Sequence, residues 1–205
     1  MQQVFPIFLL VALCVVGVFI LLLGSMQLFR TTELTGGAFG SKLKLYASLD
    51  LGLSLRYPQD FSVNSAYVYE GLGQEKQISG VAFTVSKEKT VGTNLSPDSK
   101  VTVEVIPNTP HCSARMFIRD PKSVKPLLDG DESYSFGTTK EAGAGNFYEE
   151  QVYAFPSASP CVAVRYFIHS TNIGNYPAGT VKEFNRADLL KTFDGVRRSL
   201  AVRSK

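Results

Sequence analysis

The residues of this chain that could make or break bonds are few and scattered. There are two histidines, His111 and His169, and three cysteines, Cys14, Cys112 and Cys161. A nucleophilic triad needs a serine or cysteine with a histidine and a carboxylate, all within hydrogen-bond reach. His111 adjoins Cys112, but a Cys112 tied up in a disulfide is no nucleophile. The spacings HxxxH, CxxC and that of a calcium loop do not occur, so no metal or cofactor site is assigned. Gly143 and Gly145 do not stand between a strand and a helix of a βαβ unit, so they mark a tight turn and not a phosphate cradle. The better candidate is the polar cluster His169, Asn172, Asn175 and Tyr176, with Glu183 nearby. Two readings of it stay open. Its Asn and Gly residues suit side-chain-to-backbone bonds and positive φ, which shape a turn. Alternatively, His169 and Tyr176 line a small pocket for a ligand or partner.

The elements that position this cluster run from Cys161 to Leu200. In CVAVRYFIH, Val162, Val164, Tyr166 and Ile168 alternate onto one face of a strand. In FNRADLLKTFDGVRRSL, Leu189, Leu190, Phe193, Val196 and Leu200 recur at helical spacing. Asn185 is the expected N-cap, and Asp188 suits the positive end of the helix dipole. Arg197, Arg198, Arg203 and Lys205 gather at the other end, where cations suit the dipole or could touch anionic lipid.

Upstream, Leu51, Leu53, Leu55 and Tyr57 alternate until Pro58, and Phe61 to Val63 reads as a second short strand. Ser65 to Gln77 reads as a loop or weak strand. Val81, Phe83 and Val85 alternate in the next strand, and KEKTVGTNLSPDS is a long loop before Val101, Val103 and Val105. Ser113 starts a short helix that carries Met116 and Phe117 inward. PKSVKPLLDGDES is a turn-rich connection, and Tyr134 and Phe136 mark a strand. FYEEQVYAF forms a hairpin with CVAVRYFIH about the loop Pro156 to Pro160. That loop sets Gln151 opposite Arg165, Phe147 opposite His169, and Glu149 diagonal to Arg165 as an exposed pair.

The chain has 205 residues, with 21 basic and 18 acidic side chains and a net charge of +3. That balance does not describe a nucleic-acid surface. Residues 4–24 are almost purely apolar, and at roughly 1.5 Å per residue such a helix matches about 30 Å of hydrocarbon. The run is too long for a cleaved signal and lacks a basic n-region and a clean cleavage site. The expected organisation is a transmembrane anchor or uncleaved signal at 1–26, a glycine-bearing linker at 27–45, and a domain at 46–205. Basic residues after the apolar run would put the domain in the cytoplasm under the positive-inside rule. Two cysteines outside the run, Cys112 and Cys161, favour the opposite orientation, because paired cysteines persist in oxidising compartments. A disulfide there closes a loop worth roughly 4 kcal/mol on the chain-entropy model.

LGLSLRYPQDFSV, GVAFTVSKEKTVGTNLSPDSKVTVEVIP, NFYEEQVYAF and CVAVRYFIHSTNIGNYPAGTVKEF together resemble bacterial PsbP-like domains over about residues 46–200. The Tyr57-Pro58 strand end and the IHSTNIGNY turn carry most of the likeness. The resemblance implies an α+β fold, an antiparallel sheet of about six strands with helices on both sides. Plant relatives are extrinsic subunits of photosystem II, but nothing here matches a charged docking segment, and that role is not carried over.

The function expected on these grounds is a single-pass, membrane-anchored, extracytoplasmic binding or accessory domain without enzymatic activity. It meets the lipid bilayer through residues 4–24 and serves a partner protein in an envelope complex. The alternative is a metal-dependent or hydrolytic module using His169 and nearby carboxylates.

Overall fold

The computed structural model describes residues 42–73 and 75–203. β1 (Leu43–Ser48), β2 (Leu53–Pro58) and the short β10 (Ala201–Val202) form a three-stranded antiparallel sheet in the order β1-β2-β10. The larger sheet holds β3 (Ser62–Tyr69), β4 (Ile78–Thr84), β5 (Lys100–Ile106), β6 (Lys125–Asp129), β7 (Glu132–Gly143), β8 (Asn146–Ala154) and β9 (Cys161–Thr171). Its order is β3-β4-β5-β9-β8-β7-β6, again antiparallel throughout. α1 (Lys87–Thr90) is one turn, and α2 (Arg186–Arg198) is the long helix.

The expected count of about six strands becomes seven in one sheet plus a separate sheet of three. Three strands escaped the sequence reading, β1, β6 and the two-residue β10, and none of them buries a side chain fully. β6 lies inside PKSVKPLLDGDES and pairs with β7, while β1 begins at Leu43, within the span expected as linker, and leaves Leu43 and Leu45 exposed. β3 also runs on to Tyr69, so the first part of the span expected as a loop or weak strand is strand. Helices do not flank both sides. α2 and the small sheet cover one face, and the segment from Cys112 to Ile118, with a single 3-10 turn at Ala114–Met116, covers the other. Residues 4–24 lie outside the described residues. Among the described residues, no helix is long and apolar enough to cross a membrane.

Period-two alternation builds both cores. Val81, Phe83, Val101, Val103, Val162 and Val164 are buried on the first face, where Leu189, Phe193 and Val196 of α2 and Leu53 and Leu55 of β2 meet them. The Phe193 ring lies 5.3 Å from that of Tyr166 and 6.4 Å from that of Phe61, both edge-on. On the second face Val152, Ala154, Cys161 and Ala163 pack under Cys112, Ala114, Phe117 and Ile118. A Cys112–Cys161 disulfide staples this cover to the start of β9.

α2 starts where its cap dictates: Asn185 Oδ1 accepts the Asp188 N–H at 3.1 Å. Its last turn departs from the dipole reading. Arg197 is buried, donating to Tyr166 Oη at 2.8 Å, to Asp194 at 3.0 Å and to Asp129, and its guanidinium lies over the rings of Tyr134 and Tyr153. Arg198 donates to Asp129 from solvent, and these two arginines hold the Asp129 carboxyl below its usual range.

Truncating a fully buried phenylalanine costs about 3–5 kcal/mol. Phe193→Ala in the full chain is expected to lower the urea midpoint by that equivalent with the slope retained, as followed by circular dichroism. A change below about 1 kcal/mol would mean that α2 is not the main cover of this face.

Candidate functional site

The predicted polar cluster does not converge on one point. His169 Nδ1 lies 2.8 Å from Asp98 Oδ1 and Nε2 lies 3.0 Å from Asn146 Oδ1, with the ring stacked on Tyr148 at 4.4 Å between centroids. Ser99 Oγ donates to the His169 carbonyl and accepts its N–H, each at 3.1 Å, so this hydroxyl serves the strand and not the imidazole. Asn172 Oδ1 accepts the Gly174 N–H at 3.0 Å and caps the 3-10 turn Ile173–Asn175. The Asn172 N–H and Asn175 Nδ2 both donate to Gly145 O, at 2.8 and 3.2 Å. Gly145 has φ +77°, and a Cβ there would fall 2.5 Å from Asn175 Nδ2. Asn172 and Asn175 therefore fasten this turn to the β7–β8 hairpin. Tyr176 closes the turn through its backbone N–H on Ile173 O at 3.2 Å, while Glu183 and His111 are exposed. Among the described residues, no group of three or more His, Cys, Asp or Glu side chains could hold a metal ion.

A stronger constellation lies on the second face, centred on Arg165. The expected hairpin register is off by one residue. Phe155 N–H bonds Val162 O, so the connection spans residues 156–161 and sets Val152 opposite Arg165 and Tyr148 opposite His169. A one-residue slip exchanges the neighbours of every side chain on the sheet. Glu149 therefore turns to the α2 side, where Arg186 and Gln151 donate to it; against its burial, these bonds hold its carboxyl low. Arg165, expected at the surface, is 1% exposed.

Every nitrogen of the Arg165 guanidinium has a partner. Nε and Nη2 grip Glu104 of β5 in a two-pronged pair, each at 2.8 Å. Nη1 donates to Glu150 of β8 at 2.8 Å, and Nη2 donates also to Phe117 O at 2.5 Å. The Tyr69 ring of β3 stacks on the guanidinium at 3.6 Å, and Thr102 Oγ1 donates to Glu104 at 2.8 Å. Burial would lower the Arg165 pKa, but Glu104 outweighs it and fixes the positive charge. Burial likewise pushes the Tyr69 hydroxyl up to about 12, against the pull of Arg165, so it stays protonated and donates toward Glu150. The signal for this centre was a lone arginine and a lone glutamate within apolar strands, which alternation alone could not place inside.

Two cavities open beside this centre and share Arg119. One, of about 600 Å³, is lined by Ile78, Ile106, Met116 and Ile118 with Lys76 and Arg115. The other, of about 300 Å³, is lined by Tyr69, Tyr148, Phe167, Glu141 and Glu150. Arg119 Nε donates to Gly71 O at 2.5 Å, and a Cβ on Gly71 would fall 2.3 Å from Tyr69 Oη, so a glycine permits this close approach. The site offers an apolar cleft with basic walls beside an aromatic cleft with acidic ones. That arrangement suits binding, since its one buried cation is fully engaged in cohesion.

No family model matches the chain, and no curated protein matches it. Among solved structures, it is similar to a crystal structure from Bacteroides thetaiotaomicron VPI-5482, at 13% identity and a TM-score of 0.46. The match covers 79% of this chain and 49% of that one, so the chain spans about half the length of that protein. It is also similar to the solution structure of cyanobacterial PsbP (CyanoP) from Synechocystis sp. PCC 6803, at 12% identity and a TM-score of 0.34. That match covers 82% of this chain and 96% of the other. Likenesses this distant carry no argument about activity.

Removing one partner of a buried ion pair costs about 3–5 kcal/mol, whereas replacing both with apolar groups is often nearly neutral. Arg165→Met is therefore expected to destabilise the full chain by that amount in urea unfolding, and Glu104→Leu added to it to recover much of the loss. Additive losses would contradict direct coupling. Tyrosine ionisation gives a second check. Because the Tyr69 pKa is raised in the folded state, its contribution is whole below about pH 10 and is lost as pH rises toward about 12. Tyr153, lifted to about 12 mainly by burial, acts in the same sense. A spectrophotometric titration should show tyrosines that ionise only in that late window; ionisation of all of them near pH 10 would contradict it.

Proposed function

We propose that the chain is a membrane-anchored, extracytoplasmic accessory domain of PsbP-like kind, one that binds a partner protein and performs no reaction of its own. The observation that carries this reading is the double cleft beside Arg165: two cavities of contrasting chemistry joined at Arg119, on a face braced by a rigid buried pair. The apolar run at residues 4–24 supports the anchor, and the Cys112–Cys161 disulfide suits an oxidising compartment. The PsbP-like kinship rests on the sequence motifs at Tyr57-Pro58 and IHSTNIGNY together with the antiparallel α+β architecture. The second reading, a hydrolytic or metal-dependent module, draws support from the Asp98–His169 pair, an orienting carboxylate on an imidazole.

Photo-crosslinking of the full chain in intact membranes tests the first reading, with compartment fixed by protease and thiol reagents on unbroken cells. The expected result is a discrete crosslinked partner, a domain that external protease can reach, and Cys112 and Cys161 that alkylate only after reduction. Thiols that alkylate without reduction, together with a protease-protected domain, would overturn the orientation. Stoichiometric metal in the purified chain, lost on His169→Ala, would favour the second reading instead.

A further inference from the structure

The double cleft has a polarity that specifies what can lie in it. The larger cavity has an apolar floor of Ile78, Ile106, Met116 and Ile118, and its charged lining residues, Lys76, Arg115 and Arg119, are all basic among the described residues. Such a site favours an apolar group that carries a carboxylate at its edge. The smaller cavity has the opposite character. Glu150 gives one oxygen to Arg165 at 2.8 Å, while its other oxygen has, among the described residues, the Tyr69 hydroxyl at 3.3 Å. A carboxylate can accept about four hydrogen bonds, so Glu150 keeps capacity toward the cavity. Glu141 is exposed beside it, and the Tyr148 and Phe167 rings stand 6.3 Å apart. Aromatic faces next to carboxylates attract an ammonium or guanidinium group. Lys100 already shows this attraction, its Nζ lying 5.0 Å from the centre of the Phe167 ring. Among the charged groups that line the cavity, Glu141 and Glu150 stand against Arg119. The Glu104–Arg165 pair is buried behind Glu150, and Lys100, on the adjacent strand β5, lies directly opposite Phe167.

We propose that the groove takes an extended polypeptide segment, with an apolar residue beside a carboxylate in the larger cavity and a lysine or arginine side chain in the smaller. The inference rests on the partner-binding reading above and names the chemistry of the partner. A fatty acid or other anionic amphiphile would satisfy the larger cavity but bring no cation to Glu141 or to the second Glu150 oxygen in the smaller one. A polypeptide presents both charges along its length, which is why it is the occupant assigned.

The test uses the full chain in phosphatidylcholine nanodiscs and a dye-labelled peptide carrying one lysine and, a few residues on, a leucine followed by a glutamate. Fluorescence anisotropy should show saturable binding, weakened about tenfold or more by Arg115→Glu and by Glu141→Lys, both at exposed positions outside the Arg165 network. A peptide with its glutamate changed to lysine should bind Arg115→Glu better than wild type. No binding by wild type, or binding indifferent to both variants, overturns the proposal. So does displacement of the peptide by decanoate together with loss of decanoate binding in Arg115→Glu but not in Glu141→Lys, which assigns the cleft to an amphiphile. If both variants still crosslink the same partner in membranes, the groove is wrong and partner binding stands. If wild type crosslinks nothing, the partner-binding reading itself falls.

Discussion

A single buried cation organises the second face of this domain. Arg165 sits near the middle of the seven-stranded sheet, on β9, between β5 and β8. Its side chain reaches sideways to Glu104 and Glu150 and upward to the carbonyl of Phe117, while Tyr69 lies across its plane. A buried guanidinium needs partners for its donors. Three separate segments, β5, β8 and the cover, must be in place to supply them, while β3 brings the ring that lies on its face. The constraint therefore works in reverse: the position of the arginine dictates where β3, β5, β8 and the Cys112–Ile118 cover can lie. The disulfide fixes the same cover at its start, and the Phe117 carbonyl fixes it further on.

The two faces solve burial differently. The first is a packed apolar layer in which α2 and the small sheet meet valines and aromatics, with Arg197 sealing its edge among Tyr134, Tyr153 and Tyr166. The second is thinner. Its cover is short and mostly irregular, so cavities remain where the cover ends and the β3–β4 connection begins. The smaller of those cavities owes part of its wall to residues that brace Arg165, namely Tyr69 and Glu150. At the smaller cavity, the network that braces the centre also shapes the opening at its margin.

Much of this was legible in the chain. The alternation Val162, Val164, Tyr166, Ile168 correctly named one buried face, and Asn185 correctly marked where the closing helix begins. The pairing of Cys112 with Cys161 was also foreseeable from their number. What could not be read was the opposite side of the same strand. Alternation treats Arg165 as an outward residue, because its inward position depends on Glu104 some sixty positions earlier and on a connection one residue longer than expected. Arg197 escaped for the same reason: a cation in a last helical turn suits the dipole, and only tertiary partners reveal that it is buried. The cluster at His169 shows the converse. Its residues are near one another in sequence, yet Asn172 and Asn175 serve Gly145 while His169 turns to Asp98 and Asn146.

Arg165 holds its cover to the sheet, and amide hydrogen exchange reads that link residue by residue. In the double variant Arg165→Met with Glu104→Leu, the Met116 and Phe117 amides, which bond Ser113 and Ala114 within the cover, should lose protection selectively. Amides of α2 on the opposite face should keep theirs. Unchanged protection at Met116 and Phe117, or an equal loss across both faces, would show that the arginine is not what joins them.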